Sequence, residues 1–290
     1  MRDQAEKLRL KMEYDQIAKS IAIVSGKGGV GKSNFSTNFS FNLAKKGYKI
    51  VIVDMDIGMG NIHILLGENT HRSLSDYLVA TCSLDEVTEK FSGNIDYVSG
   101  GSAMTSIIEW NELMFDRLIT AFEMLQQKYD YIIFDMGAGA TEWSLQLIES
   151  VDDIIVISTT EPTAIMDAYS MLKYIHMRNK TKNMYVVCNR ALSSDEGRHA
   201  LKRLKNTAQQ FLSKELHILG AVPEDIHVRK AVQQQQLFSI LYERAPASRA
   251  IRQIVETYVS GQTKTLAEIS SERPRSLVST LKSMFSKGRV

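Results

Sequence analysis

Two lysines share one glycine-rich loop in this chain, and their spacing suits a site for polyphosphate. The stretch Gly26-Lys27-Gly28-Gly29-Val30-Gly31-Lys32-Ser33 fulfils G-x-x-x-x-G-K-[ST], the Walker A pattern, between an apolar run at 21–24 and a helix-like segment. Glycines let backbone N–H groups turn inward around phosphate oxygens, Lys32 reaches the β and γ phosphates of a nucleotide, and the Ser33 hydroxyl suits Mg2+. Lys27 is left over. A second ammonium beside a nucleotide either joins its own phosphates or reaches those of another molecule, so the loop points to dimerisation.

Carboxylates stand where such a nucleotide needs them. In Val53-Asp54-Met55-Asp56-Ile57-Gly58 two acids lie two residues apart on an extended segment and project to one side. Asp56 is the candidate for holding the attacking water, since phosphoryl transfer needs mainly positioning and charge stabilisation. Asp54 is expected to support the metal shell. A third acid, Asp135, ends the apolar run Tyr131-Ile132-Ile133-Phe134, the Walker B arrangement, and is expected to hold Mg2+ through water. Gly58 on the first segment, and Gly137 and Gly139 after Asp135, give loops that can approach a γ-phosphate and move when it leaves. For the base, Asn189 offers an amide to a purine edge, and Pro223-Glu224-Asp225 offers backbone contacts to the same ring. The guanine motif N-K-x-D is absent at Asn189-Arg190-Ala191, which favours adenine.

Other chemistries find less support. The six histidines include no H-E-x-x-H pair, so no zinc site is assigned. Ser25, Ser99 and Ser158 lack a G-x-S-x-G elbow. Two cysteines, Cys82 and Cys188, are too few for a disulfide framework and fit a reducing cytosol. Trp110 and Trp143 read as packing residues. A formal charge of +2 demands no nucleic-acid partner.

The elements that must position these groups are legible as an alternation. Apolar runs at 21–24, 50–53, 95–98, 131–134, 154–157, 185–187 and 218–222 are separated by helical patterns at 33–46, 112–127, 141–150, 163–178, 196–212 and 247–259. That predicts an α/β fold: a mostly parallel twisted sheet with helices on both faces, its ligand at the carboxyl ends of the strands. Residues 20–260 are assigned to this domain, 1–19 to a charged extension, 261–273 to a polar linker and 274–290 to a basic amphipathic helix. In the last, Leu277, Val278, Leu281, Met284 and Phe285 share one face beside Lys282 and other cations, the pattern of a helix lying in an anionic membrane surface. Full burial of one such side chain is worth about 1.5–3 kcal/mol. Partial insertion and ordering reduce the sum, so stable attachment calls for two copies.

From residue 21 to about 258 the chain resembles the MinD/ParA class of deviant Walker A ATPases. The resemblance rests on Lys27 as signature lysine, Lys32 and Ser33, Asp56 in D-x-D-x-G, Asp135 before Gly137-Ala138-Gly139, and Val222-Pro223-Glu224-Asp225. It implies an ATP- and Mg2+-dependent sandwich homodimer in which each signature lysine reaches the partner's nucleotide, with slow hydrolysis releasing the dimer. At the N-terminus, Asp3-Gln4-Ala5-Glu6-Lys7-Leu8-Arg9 resembles the D-Q-A-x-x-L-R motif of FlhG proteins, MinD-like ATPases of bacterial flagella. That likeness implies stimulation of the FlhF GTPase through Asp3, Gln4, Ala5, Leu8 and Arg9, and contact with flagellar switch-complex (C-ring) components. Also implied are a cytoplasmic protein reversibly bound to the inner membrane face and control of flagellar number or placement. A division-site MinD ATPase and a ParA-type DNA partitioning ATPase are the alternatives; no specific nucleic acid is expected.

Overall fold

The computed structural model describes residues 17–57, 60, 62–68, 72–101, 111–139, 141–268 and 277–287. Among the described residues, eight strands form one sheet: β1 (Lys19–Val24), β2 (Ile50–Asp54), β3 (Thr88–Ser92), β4 (Ile95–Val98), β5 (Tyr131–Asp135), β6 (Asp153–Ser158), β7 (Asn183–Ala191) and β8 (His217–Pro223). Their spatial order is β3-β4-β2-β5-β1-β6-β7-β8. All pairs are parallel except β3 with β4.

Between their polar end residues the central strands are unbroken apolar runs because both faces are covered. Ile132, Phe134, Ile154 and Val156 belong to the cluster on one face, while Ile133, Ile155 and Ile157 belong to that on the other. This two-residue alternation is the strand's own. The helices are α1 (Lys32–Ala44), α2 (Ile62–Leu66), α3 (Leu74–Leu78), α4 (Leu84–Val87), α5 (Glu112–Lys128), α6 (Glu142–Ser150), α7 (Pro162–Arg178), α8 (Ser194–Leu212), α9 (Ile226–Gln233), α10 (Phe238–Leu241), α11 (Pro246–Glu268) and α12 (Leu277–Lys287). Helices α1 and α11 cover one face; α5, α6 and α8 cover the other.

Two expectations change here. Residues 261–268, assigned to a linker, continue α11. A lone Gly261 costs about 1 kcal/mol in a helix and does not stop one already built on the apolar face of Ile251, Ile254, Val255 and Tyr258. The second change concerns the amphipathic helix. Leu277, Val278 and Leu281 are buried in the core cluster that holds Leu118, Phe122 and Leu125 of α5 and Leu147 and Ile148 of α6. Lys282 pairs with Glu123 of α5 at 2.6 Å. The stripe read as membrane-facing is thus docked on its own domain. An apolar stripe requires burial, and the α5–α6 surface supplies it. The side chains of Met284 and Phe285 lie outside the described residues, as do the N-terminal Asp3, Gln4, Ala5, Leu8 and Arg9.

Candidate nucleotide site

The phosphate-loop residues gather at the carboxyl ends of β1, β2, β5 and β7, where the doubly wound topology places ligands. Gly31 is the N-cap of α1, with φ 87° and no side-chain cap. The first N–H groups of α1 thus lack a side-chain cap at the position that favours an anion. Two glycines are sterically enforced. A Cβ on Gly26 would stand 2.1 Å from the carbonyl oxygen of Asp167 in α7, and one on Gly31 would stand 2.3 Å from Nδ2 of Asn189. The loop is wedged between α7 and the end of β7.

Lys32 does not point into solvent. Its Nζ lies 2.8 Å from Oδ1 of Asp135, a residue 1% exposed. The same oxygen accepts from Ser36 Oγ at 2.8 Å, a contact that sequence reasoning missed; Ser36 stands one helical turn after Lys32, and its hydroxyl is set by the turn. Asp54 lies beside Asp135 in the β2–β5 register. It accepts from the backbone N–H of Asp56 at 3.0 Å and of Ile62 at 3.4 Å, so it also pins the loop that carries Asp56. Burial, then the neighbouring Asp135, push the Asp54 carboxyl up to about 7. Two buried carboxylates thus lie side by side, with the one ammonium paired to Asp135. With the Ser33 hydroxyl close in sequence, this oxygen donor set fits a hard divalent cation that completes its shell with water and phosphate.

Asp56 is partly exposed, and a Cβ on Gly137 would lie 3.4 Å from its Oδ1, so the loops after β2 and β5 meet. Gly139 has φ 109°; Gly58 lies outside the described residues. Lys27 turns outward, with Nζ 3.1 Å from Oε2 of Glu161 just before α7, both side chains well exposed. Such a pair contributes about 0–1 kcal/mol and yields easily.

Asn189 is already engaged: its Nδ2 donates to the Val30 carbonyl at 2.8 Å. Since that carbonyl only accepts, the amide orientation is fixed and Oδ1 is left as an acceptor. Glu224 Oε2 receives Arg190 Nε at 2.9 Å. Asp225 accepts from His227 N–H and Ala247 N–H, so its carboxylate joins α9 to α11. Pro223 ends β8. Burial pushes the Cys188 thiol up to about 12, and Cys188 belongs to the core cluster. Trp143 is half-buried against that cluster; Trp110 lies outside the described residues.

Comparison with known proteins agrees with this geometry. The ParA family, described as NUBPL iron-transfer P-loop NTPase, matches residues 16–259. The antiactivator FleN of Pseudomonas aeruginosa is 31% identical over 81% of this chain and 84% of its own length. The flagellum site-determining protein YlxH of Helicobacter pylori is 32% identical over 91% and 89%. Among solved structures, the septum site-determining protein MinD complexed with Mg-ADP from Pyrococcus horikoshii superposes with a TM-score of 0.68 at 21% identity, covering 89% of this chain and all of that one. The chain belongs to the ParA/MinD family of P-loop NTPases, in its flagellar, FlhG-like branch.

Proposed function

We propose that this chain is an ATP-driven switch that regulates flagellar number or placement, dimerising around Mg2+-ATP and hydrolysing it slowly. The observation that carries the reading is the difference between its two loop lysines. Lys32 is held inside the site on Asp135, whereas Lys27 is parked on an exposed Glu161 that it can leave at little cost. A lysine in that position is available to a second molecule's nucleotide. In this reading Asp56 orients water, while Ser33, Asp135 and, behind them, Asp54 hold Mg2+. Asn189 Oδ1 accepts from the adenine amino group.

Docking of α12 adds a condition to membrane attachment. The helix must leave α5 and α6 before Leu277, Val278 and Leu281 can enter lipid, so attachment is reversible and tied to the nucleotide state. Helix α6 begins just after the Gly137–Gly139 loop, so a shift of that loop is passed directly to the groove. The 1–16 segment engages the FlhF GTPase, and the dimer meets C-ring components at the inner face of the membrane. The Helicobacter pylori relative, at 32% identity, is a flagellum site-determining protein by name, which favours this reading over division-site placement or DNA partitioning. Sedimentation with anionic liposomes tests it: ATP should carry the chain into the pellet and ADP should not, with Lys27→Ala remaining soluble and monomeric in ATP. An ATP-independent pellet would rule the switch out.

A further inference from the structure

Three large apolar side chains stand in water where α7 and α8 end. Tyr174 and Met177 of α7 are 55% and 67% exposed, and Phe211 of α8 is 66% exposed. Helix α7 turns Leu172 and Ile175 to the core, which leaves Tyr174 and Met177 on its outer side. Phe211 prolongs the stripe of Leu204 and Ala208, both buried, yet is itself uncovered. The two helix ends adjoin: α7 packs on α8, and Lys214 Nζ donates to the Lys180 carbonyl at 2.9 Å. Apolar side chains scattered singly over a surface need no explanation, but a group of them does.

Cations stand among them. Lys173 and Lys180 are exposed, and Lys214 spends its ammonium on a neutral carbonyl. Among the described residues none of the three has a carboxylate partner. The nearby acids are engaged elsewhere, Glu142 and Glu149 with Arg178 and Glu215 with Lys205. Burial, then the ammoniums of Lys214 and Lys180, hold the His176 ring below its ordinary value, so both positive charges bear on this one corner. Uncompensated charge of that kind attracts an anion.

We infer that this corner, Lys173, Tyr174, Met177, Lys180, Phe211 and Lys214, is a second membrane contact, seated in the headgroup layer of an anionic bilayer. Lysines interleaved with an aromatic ring and a thioether suit that layer, where ammoniums meet lipid phosphate and apolar tips enter the acyl boundary. A nucleic-acid backbone would pair with the lysines but leave Met177 and Phe211 in water. Helix α12 belongs to the same helical layer, packed on α5 and α6, and α6 adjoins α7. One bilayer on that side of the sheet therefore reaches both. The inference rests on the membrane reading of α12 and adds an order to it. The corner is exposed while α12 is docked, so it meets lipid first, and α12 follows.

Sedimentation of the full-length chain in ATP, with vesicles of equal parts phosphatidylglycerol and phosphatidylcholine, tests it. Lys173→Glu/Lys180→Glu, confined to exposed positions, should raise the lipid concentration for half-binding about tenfold, and the difference should shrink in high salt. Phe211→Trp should bind like the parent and gain tryptophan quenching by lipid brominated on its acyl chains, beyond the quenching of the parent's own tryptophans. A charge-reversed chain that pellets like the parent overturns the inference. So does a bound Phe211→Trp without added quenching, because the corner then stays in water. If the double variant keeps its vesicles but loses retention on duplex DNA, the cations serve nucleic acid and the inference falls. A parent that never pellets in ATP sinks the membrane reading as well, whereas a parent that pellets beside unaffected variants leaves that reading intact.

Discussion

At the two ends of the sheet, buried carboxylates meet opposite conditions. Where the strands begin, Asp153 of β6 receives Lys19 Nζ at 2.9 Å, the Tyr258 hydroxyl at 2.7 Å and Asn183 Nδ2 at 3.2 Å. Beside it Asp152 takes both the N–H and the hydroxyl of Ser20. Where the strands finish, Lys32 pairs with Asp135, and burial, then the neighbouring Asp135, hold the Asp54 carboxyl near 7. The first end is supplied with its own donors, Lys19, Tyr258, Asn183 and Ser20, even though burial raises the Asp152 carboxyl there too. The second sets two adjacent buried carboxylates beside one lysine at the strand ends where doubly wound sheets place ligands.

The contrast can be broken most severely at its first end. Asp153→Ala should cost about 3–5 kcal/mol in urea unfolding, because it removes the carboxylate that Lys19 pairs with and leaves the fully buried Tyr258 hydroxyl without its acceptor. Its nucleotide affinity should stay within a factor of two. Gly26→Ala comes next: the added methyl meets the Asp167 backbone, so a loss of about 3 kcal/mol is expected together with nucleotide binding. Retained ATP binding in a titration would show that the loop is not wedged against α7.

Asp54 sharpens the comparison by its pH dependence. Its folded value lies above the ordinary 3.8, so between about pH 4 and 7 the folded chain keeps a proton that the unfolded chain releases. This contribution to stability is complete at low pH and is lost as pH rises through that window, at up to about 1.4 kcal/mol per pH unit. Asp54→Asn should flatten the unliganded stability profile there while weakening Mg2+-dependent ATP binding. An unchanged slope would mean that the folded chain does not hold a proton on Asp54. The smallest effect belongs to Glu161→Gln, expected to alter stability by less than about 0.5 kcal/mol while shifting the ATP-dependent dimer to lower protein concentration in light scattering.

Sequence resolved these two ends unequally. The phosphate loop, Asp54, Asp56 and Asp135 were legible because each must follow an apolar strand at a fixed offset, and the strands themselves were legible because they are apolar on both faces. Strand β3 was not: Thr88-Glu89-Lys90-Phe91-Ser92 is a polar antiparallel edge, and charge on an edge hides it from any apolar count. Ser36 and Glu161 could not be read either, since their partners lie about 100 residues or more away. The amphipathic stripe of α12 announced burial but not its site. Lipid and the α5–α6 groove satisfy the same pattern, and only packing distinguishes them.

The extension of α11 has a consequence for how the molecule stands. Its N-terminal end is tied to Asp225 near the carboxyl ends of the strands, and Tyr258 reaches Asp153 at the opposite end. The helix therefore runs the height of the sheet, and its 23 residues span about 34 Å. Ten residues of the helix follow Tyr258, so α11 carries the chain past the pole of the sheet farthest from Lys32 and Asp56.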